Sequence, residues 1–439
     1  MSVNEELLPL RNKIDGLDSE LVRLLNERAE VAKAIGEIKA KAGLPVYRPE
    51  REAEVLKKIC GKNEGPLPNE SLVAIWREVM CACRGLESEL KVAYLGPRGT
   101  FSEQAMIRQF GSGVVGMPSG SIEEVFRKVE SGDAAYGIVP IENSTEGAVN
   151  RTMDCLLKTP LFIVGECSIP IQHNLMTRSG SMEGVTRVYS HPQSLGQCVQ
   201  WLNRNVPSLE RLTAESNGEA ARLASENPTY AAVAGEVAAK IFGLQIVAAN
   251  IQDSSTNRTR FLILGREPAE PSANPREDKT SLIFSVPHRA GSLYQALKPF
   301  DDFGVSMMRL DSRPAKRGTW EYFFYTDIEG NMSEPKIREA LEIFREGCAS
   351  LKCLGSYPTE KPVRYKRIKF MTETTITTPS WVQALDKYVA SKPIEDVAAD
   401  LGLKPEEIIM LVANENPNGM SSKVKEAVAT AALNLNRYP

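Results

Sequence analysis

No long apolar run occurs in the 439 residues, so nothing reads as a bilayer-spanning helix. Nor is there an excess of one charge. The 53 basic and 56 acidic side chains give a formal net charge of -3, which offers no bulk attraction to nucleic acid or to an anionic membrane surface. The eight cysteines (Cys60, Cys81, Cys83, Cys155, Cys167, Cys198, Cys348, Cys353) form no CxxC pair. That argues against a zinc ribbon or a disulfide scaffold and fits a reduced, cytoplasmic setting. The opening segment carries Glu5, Glu6 and Asp15 and no apolar stretch of the signal-peptide kind. No metal and no cofactor is expected, and small anionic substrates would need local basic clusters.

What is present is an ordinary globular composition, 42% hydrophobic and 25% charged. The length suits about three domains of roughly 100 to 200 residues each. From Leu7 to Ile38, apolar residues recur every three or four positions, the spacing of one long amphipathic helix that Gly43-Leu44-Pro45 ends. Further helices are expected near Glu50 to Ile59 and Asn69 to Leu90. On the first helix Arg28 and Lys39 fall within about 20° of one face and roughly 16 Å along the axis, close enough for long side chains to pinch a small dianion. Arg11 lies about 42 Å from Lys39 on the same helix, so a ligand it serves sits against another chain. A solvated basic stripe is the plainer alternative.

LLPLRNKIDGLDSELVRLLNERAEVAKAIGEIK, PVYRPEREAEVL and AIWREVMCACRGLE together resemble the all-helical chorismate mutases, over nearly all of residues 5 to 90. The resemblance implies an intertwined dimer. It also implies that Arg11 from the partner, Arg28 and Arg51 hold two carboxylates, that Glu52 binds the ring hydroxyl, and that Lys39 and Glu87 flank the ether oxygen. A Claisen rearrangement needs no nucleophile, only a compact conformer and charge stabilisation at the ether oxygen, so cations and donors suffice. Arg48 stands where members often carry a small acidic residue. Glu87 stands where some carry Gln, and could donate to the ether oxygen only when protonated, so mutase activity is expected to fall with rising pH.

From Lys91 the pattern changes to short apolar strands passing through small polar residues into helices, as in VAYLG followed by PRGTFSE, which means an α/β sheet with ligands at strand ends. Ser102, Asn143, Ser144, Thr145, Ser190, His191 and Gln193 read as one rim, though any one of them could be only a helix cap. QDSSTNRTRFLILG sets Asn257, Arg258, Thr259 and Arg260 against a buried-looking strand. GPRGTFSE, VPIENSTEGAV, IPIQHNL, SHPQSLGQC and NRTRFLIL resemble the prephenate dehydratases, in order, across 91 to 266. The resemblance implies two α/β lobes around a cleft, like type II periplasmic binding proteins, and conversion of prephenate to phenylpyruvate. Thr259 is expected to donate to the departing hydroxyl, assisted by Glu142, Asn143 or Ser144. Arg260 is open between carboxylate ligand and loop brace, and His191 between acid and structural residue.

Residues 267 to 280, proline-rich and charged, read as a linker. Beyond it 281 to 358 has a βαββαβ order and resembles the ACT domain that follows dehydratases and binds phenylalanine. Gly291, Ser292 and Leu293, with Asp311, Ser312 and Arg313, stand at the ligand motifs of that family. After a basic linker, 359 to 370, residues 371 to 439 resemble the start of histidinol-phosphate-type aminotransferases, either from a joined reading frame or as an accessory segment. The expected fold is therefore multidomain: all-α (1 to 90), two-lobed α/β (91 to 266), then α+β. The expected activity is that of the bacterial P-proteins, chorismate to prephenate to phenylpyruvate under phenylalanine feedback, in a homodimer or higher oligomer. A ligand-binding sensor without turnover is the competing class; the Arg11, Arg28, Lys39 and Arg51 set and the Thr259 motif favour the enzyme.

Overall fold

The computed structural model describes residues 3–43, 47–87, 89–314 and 322–359. The aminotransferase-like stretch 371–439, and all but the first residue of the 359–370 linker, lie outside them.

Three helices come first: α1 (Val3–Ala42), α2 (Pro49–Gly61) and α3 (Asn69–Gly85). α1 runs unbroken, as its apolar spacing demands, and ends with Lys39 and Lys41 in the last turn, where cations suit the helix dipole. α3 stops at Gly85 rather than at Leu90, because glycine weakens the helix and the Glu87 amide turns back to the Arg84 carbonyl at 2.8 Å. That turn lays the Glu87 side chain over Gly36 of α1. A Cβ at Gly36 would stand 2.5 Å from Glu87 Cγ, so the contact exists only because position 36 has no side chain.

Next, β1 (Lys91–Leu95), α4 (Phe101–Phe110), β2 (Val115–Ser119), α5 (Ile122–Glu130), β3 (Tyr136–Asn143), β4 (Gly147–Ala148), α6 (Asn150–Lys158) and β5 (Phe162–Pro170) build an α/β lobe. A second lobe follows from β6 (Asn174–Thr177), β7 (Arg187–Ser190), α7 (Pro192–Gly196), α8 (Val199–Asn205), β8 (Glu210–Thr213), α9 (Asn217–Glu226), β9 (Tyr230–Ala234), α10 (Glu236–Phe242) and β10 (Gln245–Ala248). The chain then returns, and β11 (Arg258–Gly265) inserts antiparallel between β3 and β5, giving sheets ordered β2-β1-β3-β11-β5 and β10-β6-β9-β7-β8. α4, α5 and α9 each open on an S/T-x-x-E capping box, with Thr100, Ser121 and Ser216 accepting from the amides of Glu103, Glu124 and Glu219.

β11 is buried on both faces, which is why FLIL is continuously apolar instead of alternating. Phe261 and Ile263 pack with Tyr47, Tyr94 and Phe110, while Leu262 and Leu264 pack with Ile283, Tyr325, Leu354 and Tyr357 of the C-terminal unit. That unit consists of β12 (Asp278–Ser285), α11 (Ser292–Asp302), β13 (Met307–Pro314), β14 (Tyr322–Glu329), α12 (Pro335–Gly347) and β15 (Ser350–Pro358), in the expected βαββαβ order with an antiparallel sheet β13-β14-β12-β15. Its helices cover one face, with Phe344 of α12 packed against Phe284 of β12 and Phe300 of α11. Its other face leans on the first lobe, where Tyr325 Oη donates to the Met153 carbonyl at 2.7 Å and Lys352 Nζ donates to the Leu156 carbonyl at the end of α6 at 2.8 Å. The segment read as a linker ends differently from expectation, because Asp278, Lys279 and Thr280 are already buried strand residues of β12. Among the described residues no helix is long and apolar enough to cross a membrane.

The two lobes touch where the Arg98 carbonyl lies over Gly218 in the first turn of α9, 2.0 Å from where a Cβ would be. Gly218→Ala is therefore expected to force a backbone shift and lower stability by about 1–3 kcal/mol, read as a lower urea midpoint. An unchanged midpoint contradicts this packing.

Candidate functional site

In the helical module the sequence-nominated residues divide. Arg28 Nη1 lies 2.9 Å from Cys83 Sγ, and Lys39 Nζ lies 3.7 Å from Glu87 Oε2, so α1 and the end of α3 hold these groups together. Glu52, from α2, accepts from Arg84 Nη1 at 2.7 Å. Burial pushes the Glu52 carboxyl up to about 7, against the pull of Arg84, Arg77, Lys39 and Arg28. A partly neutral carboxyl thus sits among four cations. Arg51 is not part of this cluster: it pairs with Glu54 at 2.5 Å, with its side chain 60% exposed, because positions 51 and 52 of a helix point about 100° apart. Arg11 is exposed on α1, well removed along the helix.

Arg84 was not anticipated. It is buried, its Nη2 donates to the Phe110 carbonyl at 2.5 Å, and its guanidinium lies 5.0 Å from the centre of the Tyr47 ring. The signal was its spacing: three and four residues after the buried Cys81 and Met80, it is a cation on an apolar helix face.

The two lobes are joined by the strand connections after β5 and before β11. These are stitched by Ile171 N to Asn257 O at 2.9 Å and Ile251 N to His173 O at 2.8 Å. Beside these connections Asn143 and Thr259 are direct cross-strand neighbours, and Asn143 Nδ2 donates to Thr259 Oγ1 at 2.8 Å. The Asn143 amide has one possible orientation, since its Oδ1 accepts from the backbone of Thr145 at 2.9 Å and of Glu146 at 3.1 Å. Thr259 Oγ is therefore an acceptor toward Asn143, and its own proton is left to donate. Ser144 Oγ accepts from the Arg258 amide at 2.9 Å, which ties the β3 and β11 ends together.

Ser102 is buried in the first turn of α4. Ser190 is a framework residue: its Oγ donates to the Val233 carbonyl at 2.6 Å. His191 stands at the head of the five-residue helix α7, its amide donating to Asn217 Oδ1 at 3.2 Å, and burial lowers its basicity. Gln193 is exposed. Gln197 and His173, both inside the quoted motifs, were passed over. Gln197 Oε1 accepts from Asn257 Nδ2 at 3.0 Å and lies 2.9 Å from His173 Nε2. Burial lowers the His173 pKa, and since Gln197 Oε1 is the atom that meets both Asn257 Nδ2 and His173 Nε2, the Gln197 NH2 group bonds to neither. No sequence neighbour marks this trio, whose members are 24 and 60 positions apart.

Glu142 and Arg260, the latter open between ligand and brace in the sequence, lie on the face of the sheet away from the Asn143–Thr259 pair. Side chains alternate along a strand, so the neighbours of Asn143 and Thr259 point to the opposite face of the sheet. There Arg260 pairs with Asp327 at 2.9 Å, Glu142 at 3.1 Å and Glu166 at 3.3 Å. In the C-terminal unit Gly291, Ser292 and Leu293 border a cavity of about 380 Å3 whose lining also includes His288, Tyr322 and Phe324. Asp311, Ser312 and Arg313 do not border it: they lie on the edge strand β13, where Arg313 pairs with Asp154 of α6 at 2.9 Å.

Helices with a clustered set of cations, a two-lobed α/β unit holding the Asn143–Thr259 pair, and a βαββαβ unit are the three parts that known families match. The family descriptions that match are chorismate mutase type II over residues 10–88, prephenate dehydratase over 92–269 and the ACT domain over 280–346. The bifunctional chorismate mutase/prephenate dehydratase of Neisseria gonorrhoeae is 47% identical over 82% of this chain and 98% of its own length. Among solved structures, the prephenate dehydratase of Arthrobacter aurescens in complex with L-Phe is 29% identical, with a TM-score of 0.56, covering 61% of this chain and 90% of that one. GqqA, described as a novel type of quorum quenching acylase, is 30% identical with a TM-score of 0.57, covering 62% of this chain and 99% of that one. The chain belongs to the bifunctional chorismate mutase/prephenate dehydratases, and a sensor without turnover is set aside.

The raised Glu52 pKa has a measurable sign. A carboxyl that titrates near 4.5 in the unfolded chain and near 7 in the folded one contributes stability that is fully present below the first value and lost as pH rises through the second. Glu52→Gln should therefore gain in urea midpoint relative to wild type between about pH 5 and pH 8. A difference that is flat over that range contradicts the assignment.

Proposed function

We propose that Thr259 is the donor to the departing hydroxyl of prephenate, and that phenylalanine regulates this step from the ACT cavity. Aromatisation drives the reaction: the electrons of the breaking C–CO2 bond enter the ring, carbon dioxide leaves, and the hydroxyl departs as hydroxide, which takes a proton from solvent to become water. A threonine hydroxyl is too weak an acid to transfer a proton freely, so Thr259 stabilises the departing oxygen through a hydrogen bond. The observation that carries this reading is the Asn143 bond, which uses the Thr259 oxygen as acceptor and leaves its proton to donate. The Gln197 NH2 group and the backbone N–H groups opening α4 are the donors proposed for the substrate carboxylates.

In the helical module Arg28, Lys39 and Glu87 are proposed to hold chorismate with Glu52, and the partner's Arg11 completes the site. Support for a second copy comes from α1, where Leu10, Ile14, Leu17, Leu21 and Leu24 are 46–59% exposed along one apolar stripe. The proposed phenylalanine site is supported by the aromatic lining of the 380 Å3 cavity beside the α11 start, whose partial positive charge suits a carboxylate. By the same reading the product feeds phenylalanine synthesis.

The test is a coupled assay on the full chain that follows chorismate loss and phenylpyruvate formation, with and without phenylalanine. Thr259→Ala is expected to lower dehydratase kcat by about 10²–10³ while the mutase rate holds. Phenylalanine is expected to inhibit the wild-type dehydratase. A Thr259→Ala enzyme with ordinary dehydratase turnover contradicts the reading, whereas joint loss of both activities marks a misfolded variant.

A further inference from the structure

Behind the Asn143–Thr259 pair, on the opposite face of the sheet, lies a buried cluster of alternating charge. Lys279 Nζ is 2.5 Å from Glu166 Oε2 and 3.5 Å from Asp327 Oδ2, and Arg260 Nη1 bridges the same two carboxylates at 3.3 and 2.9 Å. Lys279 and Asp327 belong to β12 and β14 of the ACT domain, while Glu166 and Arg260 belong to β5 and β11 of the dehydratase. Ser281 Oγ donates to the remaining Asp327 oxygen at 2.6 Å, and Tyr357 Oη reaches that hydroxyl at 2.7 Å. Arg260 Nη2 extends the cluster to Glu142 at 3.1 Å. Two cations and two carboxylates balance in the buried part, so loss of one carboxylate leaves a cation uncompensated.

The position of this cluster sets its meaning. The register pairs Thr259 with Asn143 and Arg260 with Glu142, so each member of the donor pair in the cleft is covalently next to a member of the cluster behind it. Immediately beyond, the ladder slips: Phe261 faces Pro140, and Ile141 of β3 has no opposite residue. The bulge interrupts the ladder on the β3 side only, while pairing with β5 holds the backbone from Arg258 to Ile263, so what is left to side chains is the relation of Thr259 to Asn143 at the end of the β3 ladder.

We propose that Asp327 of the ACT domain is a positioning residue of the dehydratase, holding Arg260 from behind so that Thr259 and Asn143 keep their geometry in the cleft. The ACT domain then completes the dehydratase active site as well as carrying a ligand cavity. The inference rests on the reading of Thr259 as the donor, and the test separates the two.

Asp327→Asn, Asp327→Glu and Thr259→Ala are made in the full chain, and dehydratase kcat and KM, mutase kcat and melting temperature are measured for each. Asp327→Asn is expected to lower dehydratase kcat at least about tenfold with KM within about threefold and the mutase rate unchanged, because a displacement near 1 Å is enough to cost that much. Asp327→Glu, which keeps the charge but adds a methylene, is expected to lose about threefold or more at wild-type melting temperature. Should the asparagine variant lose its melting transition, the glutamate variant decides alone. Both variants within about twofold of wild type, beside an inactive Thr259→Ala, overturn the proposal and leave the Thr259 reading intact. An active Thr259→Ala overturns that reading instead.

Discussion

The alternation of side chains along β3 and β11 is the constraint on which the dehydratase half of the molecule depends. It puts Asn143 and Thr259 on one face of the sheet, and their neighbours Glu142 and Arg260 on the other, against a second domain. Burial alone would make the ionised form of Asp327 unfavourable. Lys279 and Arg260 together outweigh it and hold the carboxyl below its usual range, while Asp327 and Glu166 hold the Arg260 guanidinium charged against its own burial. Each group is tolerable inside the protein because the others are there. Removing one member is therefore a different experiment from removing a surface ion pair.

The same economy joins the other modules. Arg84 of α3 links Glu52 of the mutase cluster to the Phe110 carbonyl at the end of α4, so the helical module is fastened to the first lobe through a residue that also bears on its own site. A cavity of about 100 Å3 lies where Glu52, Arg77, Gln109, Glu166 and Thr359 meet, with the mutase carboxylate on one wall and Glu166 of the dehydratase on another. At the far end, β14 carries Tyr322 and Phe324 into the ACT cavity and Asp327 into the charge cluster. One strand thus borders the cavity and carries a member of the charge cluster.

The fold was largely readable from local pattern: the 3.6-residue spacing of α1, the passage of short apolar strands such as VAYLG into helices, and the short apolar strand Phe261–Leu264. What escaped was pairing at a distance. Lys279 read as the end of a charged linker, since a charge in sequence suggests solvent until its partners Glu166 and Asp327 are known. Arg260 was divisible between ligand and brace for the same reason, and the face it occupies follows from strand alternation once β11 is placed between β3 and β5. Gln197 and His173 were invisible as a pair because their link to Asn257 spans the turn from one lobe to the other. The mutase residues showed the converse: Arg51 carries the motif in sequence, yet within one chain its side chain turns to Glu54.

The central claim is that the donor in the cleft is held from behind by the ACT domain, and a double-mutant cycle on dehydratase kcat tests it most directly. If Asp327 acts through Thr259, the loss caused by Asp327→Asn in the wild-type background should shrink to less than about a third of its size in a Thr259→Ser background, a coupling of at least about 0.6 kcal/mol. Equal losses in the two backgrounds would show that Asp327 and Thr259 act independently, and would contradict the account.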